Sequence, residues 1–329
     1  MIFMGVDHGT SAIRFAVLSV RSDDELVRFF EIPRETAGSL SFENLRDHIE
    51  DQLGMPLHEI DLTCLTYSMG DGISQIEELD FVQNRGVIST SGVGEKTNAG
   101  TMVYDIFAQS VLTPPPCPAV LLPGLHQNNP VTDARMQHFS HQASPEKIGA
   151  AYHAYSLGCR SFILSDIGSN TVTLAVSDGK ILGALDAAVF APGTRHGPLD
   201  VNAIRAVDAG VRTANDAFSH AGVGGDKKKL AFFAAMEISA LHVLMNDYGS
   251  ADYMIWAAGS GGEDKEVRRE ISRLLQKPIE SLGKWSAALG CAEIAKAIIC
   301  FEADLILEIP VRFDRERWKT LKKKPQEKE

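Results

Sequence analysis

The spacing of apolar residues in the first half of the chain predicts strands followed by an amphipathic helix. Two apolar runs flank the tight turn HGTS, which is typical of a β-hairpin. Between Ser41 and Gly54 the apolar residues recur at helical spacing, and these two residues are common at helix starts and ends. The pattern predicts, in order, a hairpin over 2–20, a third strand over 26–32, a helix over 41–54 and a buried strand over 62–69.

The second half of the chain begins the same pattern again. A helix is predicted over 143–158, with Ser144 as the cap, Pro145 at the first position and Gly158 after the end. An Asp178-Gly179 turn then indicates another hairpin. The other predicted elements are strands over 162–168 and 251–259, and helices over 200–221, 230–248, 259–275 and 285–301.

Residues 80–145 show no regular pattern. They are rich in turn-forming residues, as in TSGVGEKTNAG and TPPPCPAVLLPG. An irregular insertion on a rigid scaffold is often where binding specificity lies. We therefore expect 80–145 to be an insertion that covers a substrate site.

One stretch near the start of the chain recurs about half a chain later. GVDHGTSAIRFAV (5–17) aligns with SDIGSNTVTLAVSDG (165–179), so that Asp7, Gly9 and Thr10 match Asp166, Gly168 and Ser169 before an alternating strand. The predicted order of hairpin, helix and strand occurs twice in the chain, which indicates two similarly built α/β domains that face each other. The alternative is that both turns are ordinary β-turns without a ligand, since Asp and Gly are common in such turns.

Each copy of this turn has the residue types that bind a metal–nucleotide complex. Glycine lets backbone N–H groups approach phosphate oxygens closely, and the strand-end Asp supplies a carboxylate for Mg²⁺. Asp7 and Asp166 are therefore candidate Mg²⁺ ligands, and Asp166 could instead orient a nucleophile. The candidate phosphate contacts are Gly9, Thr10 and Ser11 in the first copy, and Gly168, Ser169 and Asn170 in the second.

Charge and cysteine content narrow the function classes. A net charge of −11 argues against a nucleic-acid surface and against an anionic membrane surface. Five scattered cysteines without a CxxC pair suit reduced thiols in a cytoplasmic protein. The apolar helix over 230–245 contains Glu237 and is too short to span a bilayer, so we expect a core helix. His8 and His196 adjoin the phosphate candidates, and we expect both to be surface histidines.

The ordered set of motifs resembles the acetate and sugar kinase, Hsp70 and actin superfamily. GVDHGTSAIRFAV and LSDIGSNTVTLAV are similar to its two phosphate motifs, PEKIGAAYHAY and SAALGCAEIAKAI to its two connecting helices, and MIWAAGSGG to its adenosine motif. The resemblance implies an α/β protein with two ribonuclease-H-like domains, the duplicated actin-like ATPase fold, and a nucleotide cleft for ATP and Mg²⁺ between them. It places Gly259, Gly261 and Gly262 against the adenosine, and a hinge at the helices that contain Gly149 and Gly290.

The implied domains are 1–147, with the 80–145 insertion, and 148–329, with a terminal helix that crosses back. PGTRHGPLDV (192–201) is similar to a stretch of acetate kinases whose Arg contacts the transferred phosphoryl group, so Arg195 inherits that role. Pro198 and Val201 depart from the kinase pattern, which puts acetate as the substrate in doubt. As a whole, the chain resembles the archaeal family called methanogenesis marker protein 12.

One more candidate residue, Asp71, lies in a loop after the fourth predicted strand, and the sequence is compatible with three functions. Asp71, in the loop GDG, is a candidate general base, with a turn Asp as the alternative. The first function is phosphoryl transfer from Mg-ATP to a small acceptor, by Asp71, Asp166 and Arg195. The second is an ATP-hydrolysing switch that acts on a protein partner in assembly or activation of a methanogenesis enzyme, and the third is a nucleotide sensor. A homodimer is also compatible with the sequence.

Overall fold

The computed structural model describes residues 1–21, 24–67, 72–84, 99–250 and 252–323, with side chains up to residue 321. Its strands lie in three sheets. In chain order they are β1 (Ile2–His8), β2 (Ala12–Arg21), β3 (Asp24–Pro33), β4 (Leu62–Leu65), β5 (Ile76–Glu78), β6 (Ala119–Leu121), β7 (Leu125–His126), β8 (His141–Ala143), β9 (Phe162–Ile167), β10 (Thr171–Ser177), β11 (Lys180–Asp186), β12 (Met254–Ala258), β13 (Glu280–Ser281), β14 (Leu305–Ile306) and β15 (Ile309–Arg312).

The helices lie between and around these strands. They are α1 (Arg34–Ser39), α2 (Phe42–Leu53), α3 (Ala99–Leu112), α4 (Glu146–Ser156), α5 (Val201–Asp208), α6 (Ala214–Ser219), α7 (Lys227–Asp247), α8 (Gly259–Glu263), α9 (Lys265–Leu275), α10 (Ser286–Cys300) and α11 (Arg315–Lys323). Short 3₁₀ turns lie at Leu57–Glu59, Leu79–Phe81 and Met136–His138.

The two larger sheets contain the same strand order. The first sheet runs β14-β15-β5-β6-β4-β1-β2-β3, and the second runs β11-β10-β9-β12-β13. In both, an antiparallel three-strand meander is followed by two parallel strands, so β3-β2-β1-β4-β6 matches β11-β10-β9-β12-β13. The repeat seen in the sequence is thus a repeat of strand topology, in a mixed α/β fold.

A continuous apolar core joins the two sheets. The side chains of Phe162 and Leu164 on β9 belong to the same buried cluster as Phe3 and Phe15 of the first sheet, with α4 and α10 in between. The alternate residues of β9, such as Ile163, face a second cluster with α7 and α9. This alternation follows from the two-residue repeat of a strand, which is covered by helices on both faces.

Helix α7 buries one side in that second cluster, as the sequence analysis expected of a core helix. Its buried residues include Leu230, Ile238 and Leu241, together with Glu237. By length and composition it is also the one helix among the described residues that is long and apolar enough to cross a membrane. The outer face of α7 also contains apolar side chains, and Phe232, Met236 and Val243 are exposed there.

Residues 80–145 differ most from the prediction. The segment is not irregular throughout, because α3 and β6 lie within it. β6 pairs in parallel with β4 and antiparallel with β5, so it is an interior strand of the first sheet. A three-residue strand has too short a pattern to be seen in sequence, and its place depends on neighbours far along the chain.

Two helix and strand predictions also need correction. The single helix predicted over 200–221 is two helices, α5 and α6, separated near Gly210, which adopts φ +68°. The strand predicted over 62–69 is β4, which ends at Leu65. The break at Gly210 arises because glycine readily adopts the left-handed conformation, which does not continue a right-handed helix.

The C-terminal segment returns to the first sheet. β15 pairs in parallel with β5, β14 pairs with β15 at the edge of that sheet, and α11 follows β15. The buried carboxylate of Glu78 accepts hydrogen bonds from Trp318 Nε1 at 3.0 Å and from Arg317 Nη1 at 2.9 Å. Strand β1 and helix α11, the last described helix, therefore both belong to the part of the molecule built around the first sheet.

Candidate functional site

The first candidate carboxylate lies at the end of β1, where the hairpin turns. Asp7 faces Arg14 across the β1–β2 ladder, and Arg14 Nη1 donates to Asp7 Oδ2 at 3.2 Å. Asp7 is only 4% exposed, and its Oδ1 atom has no hydrogen-bond partner among the residues described. The site thus contains a buried carboxylate oxygen with an unused acceptor position.

The surroundings of Asp7 favour its neutral form. Burial, followed by the negative charge of Glu146, raises its pKa to about 6, although the nearby cations Arg14 and Lys147 oppose the shift. Titratable groups with such shifts, in which burial and specific charges compete, are more frequent at functional sites than elsewhere. Glu146 and Lys147 lie at the start of α4, so this helix end is close to the first hairpin.

His8, the next residue, is buried rather than on the surface, which corrects the prediction. Its backbone N–H donates to Thr66 Oγ1 at 2.9 Å, and its ring meets Tyr67 edge-on with centroids 5.8 Å apart. Burial lowers the pKa of His8 to about 3, and the positive charge of Arg34 acts in the same direction. The imidazole is therefore neutral at physiological pH and does not act as a cation beside phosphate.

The turn after Asp7 has the exposure expected of a ligand-binding loop. Thr10 and Ser11 are exposed, and the carbonyl of Gly9 accepts a hydrogen bond from Arg34 Nε at 2.7 Å. A Cβ atom at Gly9 would lie 2.7 Å from Arg14 Nη1, so a side chain here would displace the Arg14–Asp7 pair. Glycine is required at this position to let Arg14 reach Asp7.

The second candidate carboxylate, Asp166, forms an ion pair that the sequence did not predict. Lys147 Nζ donates to Asp166 Oδ2 at 2.7 Å and to Glu146 Oε1 at 3.0 Å. Burial alone would lower the pKa of Lys147, but the carboxylates of Asp166 and Glu146 outweigh it and raise the pKa. Lys147 is therefore a protonated cation that contacts Asp166 and is close enough to Asp7 for its charge to lower the pKa of that carboxyl group.

The turn after Asp166 is held by the segment that contains Arg195. The backbone N–H of Thr194 donates to Gly168 O at 2.8 Å, and those of Arg195 and His196 donate to Ser169 O at 3.0 and 2.9 Å. Asn170 Nδ2 donates to Asp186 Oδ2 at 2.9 Å. The structure thus brings Gly168, Ser169, Asn170 and Arg195 together.

Arg195 presents its side chain to solvent beside this turn. It is exposed, and within the described parts of the chain no carboxylate lies within 4.0 Å of its guanidinium. His196 stacks on Phe218 with ring centroids 4.9 Å apart, and both burial and the charge of Arg195 lower the pKa of His196. Arg195 is therefore free to contact an anionic ligand.

The three glycines after β12 pack directly on strands, Gly259 and Gly261 on the end of β9 and Gly262 on β12. A Cβ atom at Gly259 would collide with Asp166 Oδ1, and one at Gly261 would lie 2.7 Å from Ile167 Cγ2. At Gly262 it would lie 2.9 Å from the carbonyl carbon of Ala257. The close approach that these glycines permit is to the protein's own strands, and their contact with an adenosine stays a prediction.

Asp71, the predicted general base, lies outside the described residues. Gly72, which follows it, lines a cavity of about 600 Å³ near β5 and β15. Neither Asp7 nor Asp166 lines this cavity. The role of Asp71 as a general base stays a prediction.

The residues at the two hairpins fit a magnesium–nucleotide complex in part. In the described residues there is no cluster of three His, Cys, Asp or Glu side chains that would bind a metal on its own. Mg²⁺ in nucleotide sites is usually held by one or two carboxylates plus phosphates and water, which agrees with the free Oδ1 of Asp7. Asp166 is less available, because Lys147 already occupies one of its oxygens.

Comparison with known proteins shows relatives over nearly the whole chain. The sequence is 44% identical over 329 residues to a UPF0285 protein of Methanosarcina mazei, covering 93% of this chain and 98% of that protein. It is 38% identical over 343 residues to a UPF0285 protein of Methanocaldococcus jannaschii, covering 95% and 100%. No family model matches the sequence. The chain therefore belongs to the UPF0285 family, with relatives in methanogenic archaea.

Solved structures with a similar fold include a propionate kinase and an acetate kinase. A propionate kinase from Francisella tularensis aligns with a TM-score of 0.52 and 14% identity, covering 89% of this chain and 98% of that chain. An acetate kinase from Porphyromonas gingivalis aligns with a TM-score of 0.49 and 12% identity, covering 83% and 86%. At these identities the similarity concerns the fold alone, which is a mixed α/β fold.

Proposed function

We propose that this UPF0285 protein binds Mg-ATP between two ribonuclease-H-like halves and transfers a phosphoryl group to a small acceptor. The observation that carries the proposal is the convergence of both hairpin aspartates on the start of α4. Lys147 Nζ lies 2.7 Å from Asp166 Oδ2, and Lys147 and Glu146 both act on the pKa of Asp7. Equivalent strand ends of two matching sheets thus share one charged centre.

The proposed halves are residues 1–147 and 148–329, with 286–323 folded back on the first sheet. The phosphates would lie between the turns 9–11 and 168–170, where backbone N–H groups and hydroxyls are available. Lys147 and Arg195 would neutralise phosphate charge, and Asp71 stays the proposed base. Phosphoryl transfer depends mostly on positioning and on neutralising the charge of the transferred group, so a cleft with these cations suits the reaction.

Magnesium would be held by the phosphates and, through water, by Asp7. Its free Oδ1 atom is the acceptor on which this assignment rests. When bound, Mg²⁺ neutralises phosphate oxygens as a Lewis acid. Asp166 has a different proposed part, which is to orient the ammonium group of Lys147 toward the phosphates, since their ion pair is already formed.

An ATP-hydrolysing switch that acts on a protein partner is the second candidate. The close crossing of α4 and α10 favours it, because a Cβ atom at Gly149 would lie 2.6 Å from Ala287 O. Helices in such tight contact can move together as one lever. The narrower identification as methanogenesis marker protein 12, a role in methanogenesis and a cytoplasmic location are part of the proposal under either function.

Titration calorimetry with ATP and Mg²⁺ tests the proposed site. We expect Asp7→Asn and Asp166→Asn each to weaken ATP binding at least about tenfold, the scale of one hydrogen bond to a charged group. Asp178→Asn is the matched control, because Asp178 is an exposed turn residue at the far end of the second hairpin. Equal ATP affinity in all three variants would exclude a site shared by the two turns.

Arg195→Lys separates the kinase from the switch. The planar guanidinium suits phosphoryl oxygens better than an ammonium group does. For a kinase we expect ATP affinity within a few-fold of the original and turnover lower by roughly 10²-fold, the scale of losing one preorganised donor. Turnover is measured as ADP release with and without small carboxylates, sugars and cofactor precursors.

Two results would contradict the kinase proposal. One is ADP release that no acceptor accelerates, which supports the switch. The other is an Arg195→Lys variant with normal turnover per folded molecule, which would remove Arg195 from the site. The melting temperature of each variant, measured on the same preparation, shows whether a loss of turnover reflects unfolding.

A further inference from the structure

A single stripe of exposed side chains runs the length of α7, on the side away from the second sheet. The stripe consists of Lys228, Phe232, Met236, Ser239, Val243 and Asp247, and all six are exposed. They follow one another at intervals of three or four residues, so at 100° per residue they share one helix face about 100° wide. We call these six residues the α7 stripe.

The middle of the α7 stripe is apolar where a surface helix normally carries charges. Phe232 is 49% exposed, Met236 41% and Val243 69%. An exposed apolar row of this kind is typical of an interaction surface. Within the stripe, charged residues stand only at the two ends, a lysine near the start of α7 and an aspartate at its last residue.

The α7 stripe is complementary to itself when two copies run antiparallel. Positions 232 and 243 share a midpoint between Glu237 and Ile238, and so do positions 236 and 239. The same midpoint relates Lys228 to Asp247. A twofold axis through this point therefore sets apolar against apolar and cation against anion at both ends, as an isologous interface requires.

We propose that α7 is a self-association surface on which a second copy of this chain docks its own α7 antiparallel. In this register Phe232 of each copy packs on Val243 of the other, and Met236 packs over Ser239. The interface is closed by its own symmetry, so the assembly stops at a dimer.

The charged groups at the start of α7 leave a suitable cation for the partner. Lys227 Nζ contacts both Asp264 and Glu266 at 2.7 Å, and Lys229 Nζ contacts Asp226 at 3.2 Å. Lys228 lies between them, and in the described chain no carboxylate lies within 4.0 Å of its ammonium group. Of the three lysines, it is Lys228 that the antiparallel register sets against Asp247.

The opposite end of the α7 stripe keeps a negative charge. Asp247 is 58% exposed, and Arg135 Nη2 contacts its Oδ2 atom at 2.8 Å. The same guanidinium contacts Asp133 at 2.7 Å, so two carboxylates share one cation. The remaining charge of about −1 at this end is available to Lys228 of a second copy.

The size of the α7 stripe sets the expected strength of the dimer. Three apolar side chains per copy bury less surface than the roughly 800 Å² per partner that stable interfaces bury. We therefore expect a reversible dimer, whose fraction rises with concentration and falls as salt screens the end pairs.

Sedimentation equilibrium of the full chain over a range of concentrations tests the proposal. Val243→Lys places a charge in the middle of the stripe, at a side chain exposed enough not to disturb folding. We expect this variant to lower the association constant at least tenfold. Leu112→Lys is the matched control, because Leu112 is 72% exposed at the end of α3 and should leave the constant unchanged.

A charge exchange tests the antiparallel register. Lys228→Glu and Asp247→Lys should each weaken the homodimer, since each sets like charges together. Mixed in equal amounts, they should form a heterodimer more readily than either forms a homodimer, because both end pairs are then of opposite charge. Native mass spectrometry counts the three species, and a folding defect cannot produce a preference for the heterodimer.

Several outcomes would overturn the proposal. Wild-type protein that stays monomeric at every concentration excludes self-association. A dimer unaffected by Val243→Lys lies on another surface, and a mixture without heterodimer preference excludes the antiparallel register. Monomeric protein that co-sediments with vesicles of phosphatidylglycerol, and loses this through Val243→Lys, would assign the stripe to a membrane surface instead.

Discussion

Asp7 is the residue at which stability and the proposed function oppose each other. Its carboxylate is buried, one oxygen has no hydrogen-bond partner among the described residues, and its pKa is raised to about 6. Burying a charge with an unsatisfied oxygen destabilises a fold. Groups that destabilise the fold in this way are expected at functional sites, which agrees with the proposed role of Asp7 in binding a metal–nucleotide complex.

Asp7→Asn should stabilise the protein at neutral pH. The folded-state pKa of about 6 exceeds the ordinary value of 3.8, so the folded state binds more protons between those two pH values. The free energy of unfolding contributed by Asp7 therefore falls as pH rises through this window, by about 3 kcal/mol in total. Asparagine does not titrate and recovers part of this loss.

Urea unfolding of both proteins at pH 5 and pH 7.5 measures the effect. The difference in unfolding free energy, variant minus wild type, should be larger at pH 7.5. A variant that is less stable than wild type at pH 7.5 would show that the Arg14–Asp7 ion pair matters more than the burial of the carboxylate. The ATP affinity of the same variant, measured in parallel, separates stability from function.

Each turn motif was predictable from its own few residues, whereas the contact between Lys147 and Asp166 was not. The matching turns pointed to Asp7 and Asp166 because Asp and Gly have distinct chemistry at a strand end. Lys147 was missed, since a Glu146-Lys147 pair in the first turn of a helix is typical of a solvated surface. Its contact with Asp166, 19 residues later, arises only when β9 folds beside α4.

Helices α4 and α10 form the closest element contact around the candidate site. A Cβ atom at Gly290 would overlap the carbonyl oxygen of Gly149, and one at Gly5 would overlap that of Ala288. Backbone thus packs on backbone at α4, α10 and β1. The family resemblance placed a hinge at the two helices that contain Gly149 and Gly290. The structure shows that these helices pack closely at both glycines, whereas the hinge stays a prediction.

Gly290→Ala should destabilise the protein strongly. The added methyl group has no space unless α10 moves away from α4, and overpacking of this kind typically costs 1–3 kcal/mol, sometimes more (about 2 kcal/mol as a central value). Gly225→Ala is the control, because a Cβ atom at Gly225 meets no atom within 4 Å. Urea unfolding measures both, and equal stability of the two variants would mean that the helices adjust without strain.

Elements with local start and stop signals were predicted well. The Ser41 side chain accepts from the Asn44 N–H, Gly54 ends α2 with φ +66°, and Asp178-Gly179 forms the turn between β10 and β11. These signals act within a few residues, so a sequence pattern contains them. β6 and α3 were missed because a buried three-residue strand and an apolar helix are defined by what packs on them.

On the scale of the whole molecule, two sheets with one strand order are joined by helices rather than by a flexible linker. α4 leads from the first sheet to β9, and α10 returns from the second to lie on β1. The hydrogen bond from Trp318 Nε1 to the carboxylate of Glu78 then holds α11 against the first sheet. A relative movement of the sheets would therefore be a small rotation at α4 and α10, without opening of the core.

Mg-ATP should draw the two sheets together. Phosphate held by both turns would be bound better in a closed form, so the ligand shifts the population toward closure. Small-angle scattering on the Val243→Lys variant, chosen to suppress self-association, should give a radius of gyration near 20 Å for a compact chain of this length. A non-hydrolysable ATP analogue with Mg²⁺ should lower this radius. Adding Asp7→Asn should abolish the change at the same ligand concentration. Identical profiles with and without saturating analogue, in protein that calorimetry shows to bind it, would mean that the cleft is already closed and that the tight crossing at Gly149 and Gly290 is a fixed joint.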